Sequence, residues 1–106
     1  MVYQVTSSSD MKAQLEAAGD TLVVVDFYAT WCGPCIAIAP RIEEMSKGDF
    51  SSIKFLKVDV DECEEVAMEY NITAMPTFKI IKVGQVVDEL MGANADKLKE
   101  LINKHK

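Results

Sequence analysis

Two thiols three positions apart, in Trp31-Cys32-Gly33-Pro34-Cys35, are the residues of this chain best suited to covalent chemistry. A Cys-x-x-Cys pair has two common uses, half of a zinc site or a dithiol that opens and closes a disulfide, and two inert core cysteines are a third reading. A structural zinc site needs four ligands. The other candidates are Cys63, which has no second thiol at that spacing, and His105, next to last in the chain. Context favours the redox use. The pair follows an apolar β-branched run and opens a helical stretch with Pro34 in its first turn, where a missing N–H costs nothing. Cys32 would then lie at a helix N-terminus, where unpaired N–H groups and the helix dipole favour a thiolate. Cys35, one turn further in and on the apolar stripe, should be less accessible and remain a thiol until needed. That asymmetry makes Cys32 the attacking nucleophile and Cys35 the thiol that resolves a mixed disulfide.

The elements that must hold this pair are readable from periodicity. Leu22 to Tyr28 is a nearly continuous apolar run, the pattern of a parallel strand covered on both faces, and Ile53 to Val60 reads the same way. Between them, Cys35, Ile38, Ala39, Ile42 and Met45 lay one stripe along a helix over 34–47, which Pro40 should kink. Strand, helix and strand make a right-handed βαβ unit. Val2 to Val5 reads as a short strand, and Ser7 with Asp10 starts a helix through about Ala18. Asp61 with Glu64 starts another over 62–70, with Cys63, Val66, Ala67 and Tyr70 on one face. Thr77 to Lys82 and Gln85 to Met91 form a hairpin about Val83-Gly84, and residues 95–105 close with a helix whose Leu98, Leu101 and Ile102 face inward. The order βαβαβαββα predicts an α/β fold, a central five-stranded mixed sheet flanked by four helices, in one domain over 1–106.

Asp26 interrupts its apolar strand. A carboxylate buried there should have a raised pKa and could exchange a proton with a neighbouring thiol. Lys57, on the next strand, could reach it across the sheet or simply point to solvent.

Bulk properties narrow the function classes. Seventeen acidic against eleven basic residues give a net charge of −6, which disfavours nucleic acid and anionic membrane surfaces. The first residues, Met1-Val2-Tyr3-Gln4-Val5-Thr6, offer neither a basic leader nor a long apolar stretch, so no targeting or membrane segment is expected. Three cysteines are too few for a disulfide scaffold and point to a reducing compartment.

With Trp31-Cys32-Gly33-Pro34-Cys35, Asp26 six positions before Cys32, and Ala74-Met75-Pro76-Thr77 downstream, the chain resembles the thioredoxin family over essentially its whole length. Leu22 to Phe27, Lys57-Val58-Asp59-Val60-Asp61 and Gly92-Ala93-Asn94 are similar to its animal cytosolic branch. The resemblance implies the family's fold and general protein-disulfide reductase activity, with Cys32 and Cys35 as the redox-active disulfide around Gly33 and Pro34. A depressed pKa at the first thiol is a known family property that the resemblance carries over. Also implied are Asp26 assisting deprotonation of Cys35, a cis Met75–Pro76 bond, and a substrate groove of Trp31, Met75, Pro76, Gly84 and Gly92. The family binds no cofactor or metal and is recycled by thioredoxin reductase with NADPH. Implied partners are that reductase and disulfide-containing proteins such as peroxiredoxins, methionine sulfoxide reductases or ribonucleotide reductase. A cytoplasmic monomer is expected, with the nucleus also compatible.

Four positions bear on this expectation. Ile36 replaces the family's usual Lys, which removes a positive charge near Cys32 and adds apolar surface. Val83 replaces a common Asn; because β-branched residues resist positive φ, a type II turn with Gly84 third is expected. Cys63 reads as a mostly buried structural thiol, although related chains carry regulatory thiols nearby. Ala74 stands where vertebrate members have a surface cysteine, so a disulfide-linked dimer cannot form there. Two rival functions remain: an oxidase or isomerase, whose domains usually carry His at Pro34 and are exported, and a redox-sensed binding module that uses the same groove without turnover.

Overall fold

In the structure, a computed structural model describing residues 1–106, nine elements follow in the expected order. They are β1 (Val2–Gln4), α1 (Ser8–Ala18), β2 (Val23–Tyr28), α2 (Gly33–Lys47), β3 (Lys54–Asp59), α3 (Glu64–Glu69), β4 (Thr77–Lys82), β5 (Gln85–Met91) and α4 (Ala95–His105). The sheet order is β1-β3-β2-β4-β5, parallel across β1, β3 and β2 and antiparallel from β2 to β4 and β5. The central place of β2 explains its run of valines: it has strand neighbours on both sides and helices over both faces.

Alternation along β2 sorts the core into two layers. Val24 joins Ile38, Ile42 and Met45 of α2, Phe78 and Ile80 of β4, and Leu98 and Ile102 of α4. Val23, Val25 and Phe27 face the other way, onto Met11 of α1, Leu56 and Val58 of β3, and Val66 of α3. By the same alternation Asp26 rises on the face that α2 covers, beneath the helix that carries Cys35.

Helix starts follow side-chain chemistry. Ser7 caps α1, its hydroxyl accepting from Asp10 N at 3.0 Å, and Asn94 caps α4 by accepting from Lys97 N at 3.0 Å. The start expected at Asp61 is corrected: α3 begins at Glu64 after Cys63 and has no side-chain cap. Asp61 is held instead in a tight turn, its N–H donating to the buried Asp59 carboxylate at 2.9 Å, and its own carboxylate serves elsewhere. Ala39 also departs from the expected stripe and is exposed, because a crevice separates that side of α2 from the sheet. Helix α2 runs unbroken through Pro40.

The hairpin turn differs from the expected type II. Lys82 pairs with Gln85, which leaves two loop residues, and both have positive φ: Val83 at 51° and Gly84 at 75°. That is the type I′ pattern, whose twist matches the flanking strands, so strand pairing overrides the preference of valine. Val83→Asn should therefore stabilise the protein by about 1 kcal/mol, since Asn tolerates the left-handed region. Urea unfolding would measure it, and an unchanged midpoint would rule out strain at Val83.

Candidate active site

Strand β2 ends at Tyr28, and Ala29, Thr30 and Trp31 lead the chain into α2. Cys32 is the N-cap of α2, with extended backbone, and its Sγ accepts a hydrogen bond from Cys35 N at 3.3 Å. A donor that the helix leaves unpaired thus aims at the sulfur, the arrangement that stabilises a thiolate. Cys32 and Cys35 are joined in a disulfide, with Cα atoms 5.3 Å apart. The two sulfurs are each other's partners, and no cluster of His, Cys, Asp or Glu large enough to hold a metal ion occurs in the chain.

Burial does not separate the two sulfurs in this oxidised state, because Cys32 is 6 % exposed and Cys35 4 %. Their surroundings do. Cys32 Sγ lies 3.7 Å from the Met75 carbonyl oxygen, whereas Cys35 starts the buried stripe of α2. The Met75–Pro76 peptide is cis, and Gly92, at φ 105°, donates its N–H to Pro76 O at 2.9 Å. Cys32, Met75, Pro76 and Gly92 therefore form one continuous strip. Gly33 and Pro34 are exposed beside it, and a side chain at Gly33 would meet nothing within 4 Å, so the residue leaves open surface next to the disulfide.

Trp31 stands 68 % exposed at the edge of this strip, its indole N–H donating to Asp61 Oδ2 at 2.8 Å. Sequence reasoning missed Asp61, whose role depends on a contact between the ends of β2 and β3 that no local spacing marks. Gly84 is a correction. It sits in the turn after Lys82, at the opposite end of β4 from Pro76, facing Leu15 of α1 and Gly19 just beyond that helix. Six strand residues span roughly 20 Å, too far to share the groove.

Asp26 is buried, and its Oδ1 has no hydrogen-bond partner. Burial pushes its pKa up to about 7, partly offset by the nearby positive charge of Lys57. Asp26 and Lys57 are register partners across β2 and β3, yet they do not close to a salt bridge. The Lys57 ammonium lies 5.9 Å from the Tyr28 ring centroid. A crevice of about 340 Å³ lined by Asp26, Ile36, Ala39, Glu43 and Lys57 leads to the carboxyl from outside. Ile36 is 61 % exposed, as expected, and stands on that rim.

Cys63 is buried, with its thiol donating to Val5 O at 3.6 Å. Burial pushes its pKa up, and the Glu62 and Asp59 carboxylates push the same way, so it is an unreactive part of the core. No helix is long and apolar enough to cross a membrane.

Comparison with known proteins agrees with this geometry. The family model for thioredoxin matches residues 2–104. Human thioredoxin is 50% identical over 103 residues, covering 97% of both chains, and Drosophila melanogaster thioredoxin-T is 49% identical over 105 residues, covering 99% of this chain and 67% of its own. The X-ray structure of Fasciola hepatica thioredoxin superimposes with a TM-score of 0.95 at 45% identity, covering 98% of this chain and 99% of that one. The relatives share a disulfide-exchange chemistry that needs disulfide-containing protein substrates and a reductase, and the Cys32–Cys35 pair supplies its working groups. The chain belongs to the thioredoxin family and is a thiol–disulfide oxidoreductase that reduces protein disulfides.

Proposed function

We propose that the chain works as a single monomeric domain over residues 1–106, with Cys32 as nucleophile and Cys35 as resolving thiol. The Cys32 thiolate attacks one sulfur of a substrate disulfide, and the other sulfur leaves as a thiolate. Cys35 gives its proton to the Asp26 carboxylate, attacks Cys32 Sγ and frees the second substrate thiolate, so two electrons pass to the substrate. The observation that carries this reading is the position of Cys32 Sγ, between the Cys35 N–H at the helix mouth and the Met75 carbonyl. A carboxyl with a pKa near 7 is half ionised at neutral pH, which suits it to take and return a proton.

Substrate segments lie in extended form along Met75, Pro76 and Gly92, with Trp31 as a contact plate and Gly33 and Pro34 leaving room for approach. Lys57 helps keep Asp26 ionisable through its field alone. No cofactor is bound by the chain. Electrons come from NADPH through thioredoxin reductase in the cytoplasm and pass to proteins such as peroxiredoxins, methionine sulfoxide reductases or ribonucleotide reductase. A mixture of the chain, thioredoxin reductase, NADPH and insulin should consume NADPH and precipitate the insulin B chain. NADPH consumption no faster than without the chain would refute the proposed cycle.

A further inference from the structure

Alongside the strip at Cys32 runs a groove of about 610 Å³ lined by Val60, Ala67, Met68, Ile72 and Met75 among others. Two of its walls are thioethers. Met68 is 77 % exposed, and Met75 packs against the cluster that holds Cys32 and Cys35. Flexible, polarisable methionines adapt to varied apolar partners, and they are also the side chains peroxide converts into polar sulfoxides.

We propose that Met68 and Met75 form an oxidation site at which peroxide weakens substrate docking beside the disulfide. The proposal rests on the reading that substrates bind along Met75 and Pro76. The thioether sulfur attacks one peroxide oxygen, the O–O bond breaks, a new S–O bond forms and water leaves; the sulfur is oxidised by two electrons and the peroxide reduced by two.

The redox state of the pair sets when this happens. In the dithiol state the Cys32 thiolate is the better nucleophile and reacts first. In the disulfide state neither Cys32 nor Cys35 offers a thiol, and Cys63 is 6 % exposed with its pKa pushed up by burial. Met11 and Met45 are buried at 2 % and 4 % exposure. The sulfurs left to peroxide are those of Met68 and Met75 in the groove, with Met1, and with Met91, which is exposed and pairs with Thr77 beside Gly92 at the end of the same strip. The groove therefore registers oxidant when the supply of electrons to Cys32–Cys35 has failed. Sulfoxide reduction by a methionine sulfoxide reductase reverses the change.

The test treats the disulfide form of the full chain with hydrogen peroxide and locates added oxygen by peptide mass. The pair is then reopened with mild dithiothreitol, which leaves sulfoxides in place, and insulin reduction is assayed. KM should rise about fivefold to tenfold, the loss expected when a buried apolar contact becomes polar, with kcat within about twofold. In the Met68→Leu/Met75→Leu variant, a volume-conserving change, treated and untreated protein should share one KM. Methionine sulfoxide reductase should restore the KM of treated wild type. An unchanged KM despite oxygen on both residues, or an equal rise in the double variant, overturns the proposal. Failure of untreated wild type to reduce insulin would instead strike the functional reading on which it rests.

Discussion

Cys32→Ser should abolish insulin reduction, with a loss of at least about 10³-fold, because a serine hydroxyl near neutral pH provides almost no anion to attack a disulfide. Cys35→Ser should fail differently. Its Cys32 can still attack, but nothing closes onto the mixed disulfide, so the chain should accumulate covalently bound to substrate in a band that dithiothreitol releases. Non-reducing electrophoresis and intact mass distinguish the two outcomes. Turnover surviving either substitution would sink the division of labour between the thiols, and a covalent adduct in Cys32→Ser would reverse it. A binding-only module would hold substrate equally well in all three forms and leave no covalent adduct.

The second large effect concerns Asp26 and runs in opposite directions for stability and activity. Its folded pKa, about 7, lies above the ordinary value of 3.8, so between these limits the folded chain keeps a proton that the unfolded chain has lost. Stability therefore falls as pH rises through that window and levels off above it, and the gap corresponds to at most about 4 kcal/mol. Other charges near the carboxyl are Lys57 on β3 and Glu43 on α2, with Tyr28 two residues along β2. Asp26→Ala should gain about 2 to 3 kcal/mol at pH 8, less than the full gap because some packing is lost, and near pH 4 the gain should give way to a loss of about 1 kcal/mol, the packing cost with almost no ionisation left to offset it. The same variant should resolve mixed disulfides more slowly at neutral pH, on the order of tenfold to a hundredfold, for want of a proton acceptor beside Cys35. Urea unfolding across pH and stopped-flow resolution check the two arms. A stability gain independent of pH would mean that ionisation of Asp26 is not its source.

Elements with strong local signals were legible from the sequence. The valines before Asp26 mark the central strand, Ser7 marks the start of α1, and the spacing of Cys32, Pro34 and Cys35 places a nucleophile at a helix mouth. What escaped depends on contacts between distant segments. The Trp31 indole meets Asp61 across thirty positions of sequence, a meeting set by how β2 and β3 end side by side. That Lys57 could reach Asp26 from the next strand is legible, but whether an ammonium closes onto a carboxylate depends on rotamers, and the two are register partners with the ammonium 5.9 Å from the Tyr28 ring centroid. Val83 and Gly84 illustrate the opposite failure. Residue preference pointed one way and two paired strands another, and pairing along the whole hairpin outweighed one unfavourable φ. Only family resemblance assigns Gly84 to the groove, and its own sequence neighbourhood, Val83-Gly84-Gln85, marks a turn and nothing more.

The order β1-β3-β2-β4-β5 gives the sheet a polarity. The ends of β2 and β3 and the start of β4 converge on the disulfide, whereas the Val83-Gly84 turn lies at the far end of β4. Chemistry and hairpin closure are thus assigned to opposite poles of one sheet. The far pole is a natural mounting point where a grafted peptide, a fluorophore or a surface tether can be attached without shading the thiols.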